Sequence, residues 1–523
     1  MTPAASAARP PSRKDLGDFQ TPPGLVALVL AALGPIGGRF PRVLEPTCGR
    51  GHFLAGLLDR PDPPREIRGF EVQTEHAEVA RAVVGVRPTS VRAAVETADA
   101  FGIDFGRDIR WSERGPLLVV GNLPWVTVAG LGSSGGSKGP DRSNARRLRG
   151  IDAMTGASNF DISEVLWLKL IRELEAERPT IALLCKSAVA RAVLGSIDAL
   201  DLPITAATLW RVDALRWFRA SVDACLLRVE IGPGPKATEV PIHADLAADR
   251  PESSLGIGHG GLIADLSAYH RGSFADGSSP IAWRQGIKHD AAAVMELIHG
   301  DDGILRNKLG ETVDVEPDRI YPLLKATDLA GAIRPRPRRS VLVTQRHLGD
   351  DPGDLEQTAP RLWAYLVAHS ADFERRRSSI YRGRPPFSLF GVGDYSFRPF
   401  KVAISGLHKA PRFRAVAPIG GRPVLLDDTG YFLPCRTAEQ AATLAAVLNG
   451  PESLDLLRGL TFRDAKRPIT KKLLRRLDLP ALLLRADPAG LRDRAEAGWH
   501  SMGEPGGPTP DSWSLTWQPD WAD

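Results

Sequence analysis

No apolar run in this sequence is long enough to cross a bilayer. The strongest stretch, Leu25 to Leu33, falls far short of the roughly 20 residues a spanning helix requires. Residues 1–14 are rich in Ala, Pro, Ser and Arg and lack a continuous apolar core, so they read as a flexible N-terminus and not a secretory signal. A cytoplasmic protein without a membrane partner is expected. Cysteine is scarce: Cys48, Cys185, Cys225 and Cys435 stand far apart and form no C-x-x-C. That pattern argues against a disulfide framework and a zinc site, and no metal is expected. There is no G-x-G-x-x-G and no phosphate-loop lysine, so a cradle for a pyrophosphate is not expected. No internal repeat is visible, and no Pro-Asp…Glu-x-Lys arrangement stands at a convincing spacing for a nuclease.

What is there begins with length. A chain of 523 residues is too long for one hydrophobic core and predicts two or three domains. Hydrophobic content of 43% and charged content of 25% are those of an ordinary globular protein. The net charge of +5 matters less than where it lies. Strand candidates Val43–Pro46, Ile67–Glu71, Leu117–Gly121, Thr180–Cys185, Ile204–Trp210 and Ala224–Ile231 alternate with helix candidates Leu25–Leu33, Phe53–Leu58, His76–Val84 and Ile162–Leu174. Short apolar runs separated by amphipathic stretches predict a doubly wound α/β sheet over 15–231. The Gly/Pro-rich opening of 232–255 predicts a linker, followed by a second domain over 256–490 and a tail over 491–523. Trp513, Trp517 and Trp521 suit docking of that tail on the body.

One stretch carries most of the chemistry. Val43-Leu44-Glu45-Pro46-Thr47-Cys48-Gly49-Arg50-Gly51-His52-Phe53 reads as a buried strand, a glycine turn and a helix start. The turn admits ligand atoms close to the backbone, and the helix N-terminus offers unpaired N–H groups. About 20 residues on, a second strand ends in Glu71, a separation that suits the two hydroxyls of a ribose. Without a pyrophosphate cradle, a nucleoside of this kind points to S-adenosylmethionine. Around this core stand Asp18-Phe19-Gln20-Thr21-Pro22, Ala98-Asp99-Ala100-Phe101 and Val119-Val120-Gly121-Asn122-Leu123-Pro124-Trp125, in that order.

In this order of motifs the chain resembles a gamma-class amino-methyltransferase of DNA, of the restriction–modification type. The resemblance implies a Rossmann-like S-adenosylmethionine-dependent methyltransferase domain with a second, mixed α/β target-recognition domain. It implies that Thr21 and Pro22 close over the methionine end of the cofactor. Glu45, Pro46, Cys48, Gly49 and Gly51 would form its loop, Glu71 would hold the ribose, and Asp99 and Phe101 would meet the adenine. Cys48 reads as a small packing residue beside that loop. Asn122, Pro124 and Trp125 match the family's Asn-Pro-Pro-aromatic, with Leu123 where the first proline usually stands. The Asn122 side-chain oxygen and the backbone carbonyl on the Pro124 side would accept from the target amine. Trp125 would stack on a flipped-out adenine, with Phe218 as the second aromatic. Asp161 or Ser163 suits a helix cap after the Gly/Ser-rich and basic segment 128–150, which could order over DNA.

The second domain opens with Val315 to Lys325, similar to the start of target-recognition domains in this family. Between Glu374 and Arg414 the chain is basic with interleaved aromatics, as a phosphate backbone and splayed bases require. Arg375, Arg376, Arg377, Arg382, Arg384 and Lys401 are the expected contacts to double-stranded DNA. The expected function is methylation of the exocyclic amine of adenine, with a cognate restriction endonuclease as a candidate partner. The alternatives are a DNA-binding specificity component without catalysis, and methylation of a cytosine amine or of a protein glutamine.

Overall fold

The computed structural model describes residues 20–87, 90–125, 161–258, 261–331, 338–462, 467–503, 516–518 and 521. The expected loop at 128–150, the stretch Ser158 to Phe160 and Trp513 lie outside these residues. The chain divides into two compact units, Met1–Leu266 and Ser267–Asp523.

Unit one is a ten-stranded sheet with helices along the chain. Its elements are α1 (Pro23–Ala32), β1 (Arg42–Glu45), α2 (His52–Leu58), β2 (Glu66–Glu71), α3 (Thr74–Gly85), β3 (Arg92–Thr97), β4 (Leu117–Asn122) and α4 (Ile162–Glu173). They continue with β5 (Thr180–Lys186), α5 (Ser187–Gly195), β6 (Ile204–Val212), α6 (Ala214–Phe218), β7 (Ala224–Ile231), β8 (Glu239–His243), β9 (Ser253–Gly258) and β10 (Gly261–Ile263). The order across the sheet is β10-β9-β8-β6-β7-β5-β4-β1-β2-β3. Strands β1 to β5 pair in parallel, and β7 lies antiparallel between β5 and β6. Parallel strands covered on both faces must be apolar throughout, and Val43, Leu44 and Leu117 to Val120 are all fully buried. The order reverses between β1 and β4. Their connections leave in opposite directions there, and a crevice opens at their carboxyl ends.

The expected strands and helices are all present, with ends moved by a few residues. The stretch expected as a linker over 232–255 contains all of β8 and the start of β9: β8 pairs in parallel with β6 and antiparallel with β9, so the sheet runs through it. Val240 and Ile242 alternate into the core on either side of Pro241, and that alternation is the strand signal which the Gly-Pro-Gly-Pro opening obscured.

Unit two contains a four-stranded antiparallel sheet, β11-β19-β16-β17, and a five-stranded sheet, β13-β12-β15-β14-β18. Here β11 is Arg284–Gln285, β12 Glu296–His299, β13 Leu305–Arg306, β14 Ile320–Leu324 and β15 Arg339–Leu342. β16 is Phe400–Ser405, β17 Arg414–Val416, β18 Leu425–Leu426 and β19 Gly430–Cys435. The helix Ala438–Leu448 is buried on nearly every side within one core cluster, as its all-round apolar sequence demands. The helix Pro488–Met502 crosses the expected boundary at 490 and buries Leu491 and Ala495 in the same cluster. Trp517 and Trp521 pack against that cluster too.

The placement of 232–255 is testable. Val240 is 0% exposed, and Val240→Asp would bury a carboxylate without a partner, at a cost of roughly 3 kcal/mol or more. The melting temperature of unit one should fall by roughly 5 °C or more. A variant that melts like the parent would return this stretch to the role of a linker.

Candidate functional site

The crevice at the carboxyl ends of β1 and β4 holds an open cleft of about 700 Å³. Its floor is the turn between β1 and α2. Gly49 and Gly51 adopt φ of 52° and 82°, the left-handed region where a side chain is costly. The turn is held from two sides. Glu71, last in β2, accepts from Gly49 N–H at 2.9 Å and from Gln73 N–H at 2.8 Å. Gln20 Oε1 accepts from Arg50 N–H at 3.0 Å, and His52 Nδ1 donates to the Thr21 carbonyl at 2.7 Å. Thr47 Oγ1 donates to the Asn122 carbonyl at 3.2 Å, which joins the turn to the end of β4.

The structure gathers Thr21, Glu45, Cys48, Gly49, Glu71, Asn122 and Pro124 into the walls of this one cleft. Pro22 caps α1, and Pro46 and Gly51 shape the turn without lining it. Asp99 lines a separate cleft beside Phe70, and its Oδ1 accepts from Phe101 N–H at 2.9 Å. The geometry therefore does not bring Asp99 and Phe101 into the first cleft. Gln20, His52, Val72, Gln73 and His76 also line it and were missed. Gln20 and His52 stand inside recognised motifs and Val72, Gln73 and His76 follow Glu71, but a side chain's direction across a turn is not legible from residue type.

Electrostatics give the cleft a sign. Glu45 is 2% exposed, and its Oε2 has no hydrogen-bond partner among the described residues. Burial, and then the nearby Glu71 carboxylate, raise its pKa well above the usual carboxylate value; the Leu54 N–H lowers it only in part. Gly121, at φ 156°, makes room for it: a Cβ there would lie 3.3 Å from Glu45 Cγ. Two carboxylates in one cleft, one of them short of partners, suit a cationic ligand with a diol. Burial and these same carboxylates push the Cys48 thiol up, so it stays protonated and serves packing, not nucleophilic attack.

Trp125 and Phe218 do not line this cleft; they meet edge to face, ring centroids 4.9 Å apart, and both are buried. Leu123 is buried, and its N–H donates to the Leu184 carbonyl at 3.4 Å. Asp161 caps α4 by accepting from Ser163 N–H at 3.1 Å.

In unit two the expected DNA contacts separate. Arg377, Arg382 and Arg384 are exposed, and the first two line an open cleft of about 1,070 Å³. Arg375 is exposed and pairs loosely with Asp372 at 3.3 Å. The Arg376 guanidinium carbon stands over the Tyr381 ring at 3.8 Å and its N–H groups donate to the Phe373 and Ser388 carbonyls, so it braces the fold. Lys401 corrects the expectation outright. It is 1% exposed, its ammonium donates to the Arg398 carbonyl at 2.7 Å, and burial lowers its pKa to about 7. Lys401 stands on the same sheet face as Ala403, turned into the interior, which a charge count along the chain does not reveal.

The four cysteines are all buried and free. No group of metal-binding side chains occurs among the described residues, and no helix there is long and apolar enough to cross a membrane.

No family model matches the chain. It is similar to the type II methyltransferase M.NspV of Nostoc sp., 35% identical over 472 residues, which is 90% of this chain and 98% of that protein. Among solved structures it shares its fold with the type IIL restriction–modification enzyme MmeI, solved in complex with DNA. The TM-score is 0.54 at 12% identity, over 94% of this chain and 72% of that one.

Glu45 yields a pH prediction. Its folded pKa lies above the ordinary 4.5. The native state therefore holds a proton that the unfolded chain has released, and stability falls as pH rises from the unfolded value through the folded one. Glu45→Gln removes that loss. Its melting temperature should exceed the parent's by a margin that widens as pH rises above the ordinary 4.5. A constant margin across that range would mean Glu45 is not desolvated.

Proposed function

The chain belongs to the type II restriction–modification DNA methyltransferases, which use S-adenosylmethionine, and from that premise we propose a gamma-class enzyme that methylates the exocyclic amine of adenine. The observation that carries the reading is a shared wall. Asn122 and Pro124, the matches to the base-holding motif, line the same cleft as Gly49 and Glu71.

The residues fit the cofactor. Glu71 uses one lone pair of each oxygen on Gly49 and Gln73, and the remaining lone pairs would accept from a ribose diol. The orphaned Oε2 of Glu45 suits the positive charge of the methionine end. Gln20 and Thr21, tied to the turn, would cover it. When bound, S-adenosylmethionine supplies a methyl group on a positively charged sulfonium.

The chain's task is then orientation. An exocyclic amine conjugated to its ring is a poor nucleophile. Asn122 Oδ1 and the Leu123–Pro124 peptide carbonyl would each accept one of its N–H groups and turn the nitrogen lone pair toward the cleft. No strong base is required, because the amine becomes acidic only once it has taken the methyl. Most of the rate would come from positioning and from fixed dipoles. Trp125 and Phe218 now touch, so a base stacked between them requires the pair to part; an extrahelical base would pay for this with its own stacking. Arg375, Arg377, Arg382 and Arg384 are the proposed backbone contacts to duplex DNA, and a partner endonuclease is the proposed companion.

Two variants separate chemistry from binding. Asn122→Ala should abolish methyl transfer to DNA and leave S-adenosylmethionine affinity intact. Glu71→Ala should weaken that affinity tenfold or more, since a charged hydrogen bond is worth about 1.5–3 kcal/mol. Calorimetry and a tritiated-methyl assay read the two effects. Parental transfer by Asn122→Ala would remove it from catalysis, and parental affinity of Glu71→Ala would remove Glu71 from the cofactor site.

The DNA surface has its own test. Changing Arg377, Arg382 and Arg384 together to Ala should weaken DNA binding and lower the logarithmic salt slope by roughly 2 to 3, about 0.9 for each lost phosphate contact. An unchanged slope in a folded protein would move the contact surface elsewhere.

A further inference from the structure

We propose that Lys186 is a positioning residue for methyl transfer, holding the backbone that carries Asn122 to Trp125; this rests on the reading of that segment given above. Lys186 ends β5, next to the strand that carries Asn122. Its ammonium donates to the Trp125 carbonyl at 3.1 Å and to Asp161 Oδ2 at 2.6 Å. Asp161 is fixed in turn, because its other oxygen caps α4 through Ser163 N–H and Ser163 Oγ. Both side chains of the pair are mostly buried.

The need for such a clasp follows from the backbone. Register pairing of β4 with β5 runs to Asn122 opposite Leu184, and the Leu123 N–H adds one long bond to Leu184. Pro124 has no N–H and ends the ladder. Trp125 lies beyond the last register pair of β4 with β5, and there the Lys186 side chain reaches its carbonyl. An ammonium offers three donors on a flexible stem, and two are spent here on one carbonyl and one carboxylate. Lys186 ties Trp125 to Asp161, residues far apart in sequence that would flank the bound base. A shift of about 1 Å in such a segment can slow a positioned reaction roughly 100-fold.

The test is single-turnover methyl transfer to unmethylated plasmid DNA by the full chain, beside calorimetry with S-adenosylmethionine and a melting curve. Lys186→Met should slow transfer roughly 10- to 100-fold, with cofactor affinity unchanged, and Lys186→Arg should recover part of the rate. Asp161→Asn keeps the helix cap and removes the charge that orients the ammonium. It should slow transfer roughly 3- to 10-fold, and it reports even where Lys186→Met fails to fold. Parental rates in Lys186→Met or in Asp161→Asn overturn the proposal. So does a loss of cofactor affinity and melting temperature that accounts for the whole drop in rate, which is the mark of a general structural role. Absence of transfer by the parent chain overturns the DNA-methylation reading itself, and this proposal with it.

Discussion

Much of the site depends on one hydrogen bond, from Gly49 N–H to Glu71 Oε2. A parallel sheet that reverses its order must leave a crevice between the diverging strands, and the turn there is tied to β2 by one backbone bond, Cys48 N–H to the Phe70 carbonyl, before its glycines. Glu71 adds the second, reaching from the end of β2 to the Gly49 N–H after β1. The left-handed glycines on either side of Arg50 give the turn the shape that accepts this bond. Because Glu71 also holds Gln73, the same carboxylate fixes the exit of β2 and the start of α3. The site is therefore built from the fold's own termini, with little strain beyond two glycines.

Glu45 shows the opposite bargain. A carboxylate buried beside another carboxylate, with an oxygen left without a partner, lowers the stability of the unliganded protein. Nothing in the packing requires it, since Gly121 must stay small to admit it. Such a residue makes physical sense where a cation completes the pocket. The free protein bears the desolvation, and the bound state recovers it.

The first unit was legible in the sequence because its strands are apolar runs and its chemistry sits at strand ends. Glu45, Glu71 and Asn122 could be ordered by counting from strands that periodicity had already located. What failed has a common cause. β3 is an edge strand of small and charged residues, and β8 and β9 follow a Gly-Pro stretch, so neither offers an apolar run. Asp99 stands after the end of β3, and the cleft it lines is separate from the first. In the second unit the error was one of direction. Arg377 and Lys401 look alike as positive charges in a basic region, yet one is exposed and the other faces the interior of β16. Every residue of β16 after Phe400 is buried, so the strand carries no alternation that would mark Lys401 as inward.

Leu123 can be weighed the same way. Proline at this position would restrict the unfolded chain, an effect of roughly 0.4–1 kcal/mol, and would remove the N–H. Leucine keeps the N–H, but its bond to Leu184 at 3.4 Å is long and adds little. The deciding quantity is burial: Leu123 is 1% exposed, and a leucine taken fully out of water gains roughly 1.5–3 kcal/mol. That exceeds what the ring's rigidity would give. The side chain anchors the segment from below, Thr47 holds the Asn122 carbonyl from the glycine turn, and Lys186 holds the Trp125 carbonyl beyond Pro124. The segment from Asn122 to Trp125 is thus fixed at three points, by its own buried Leu123 and by Thr47 and Lys186 outside it, and a second proline is not needed to define its path.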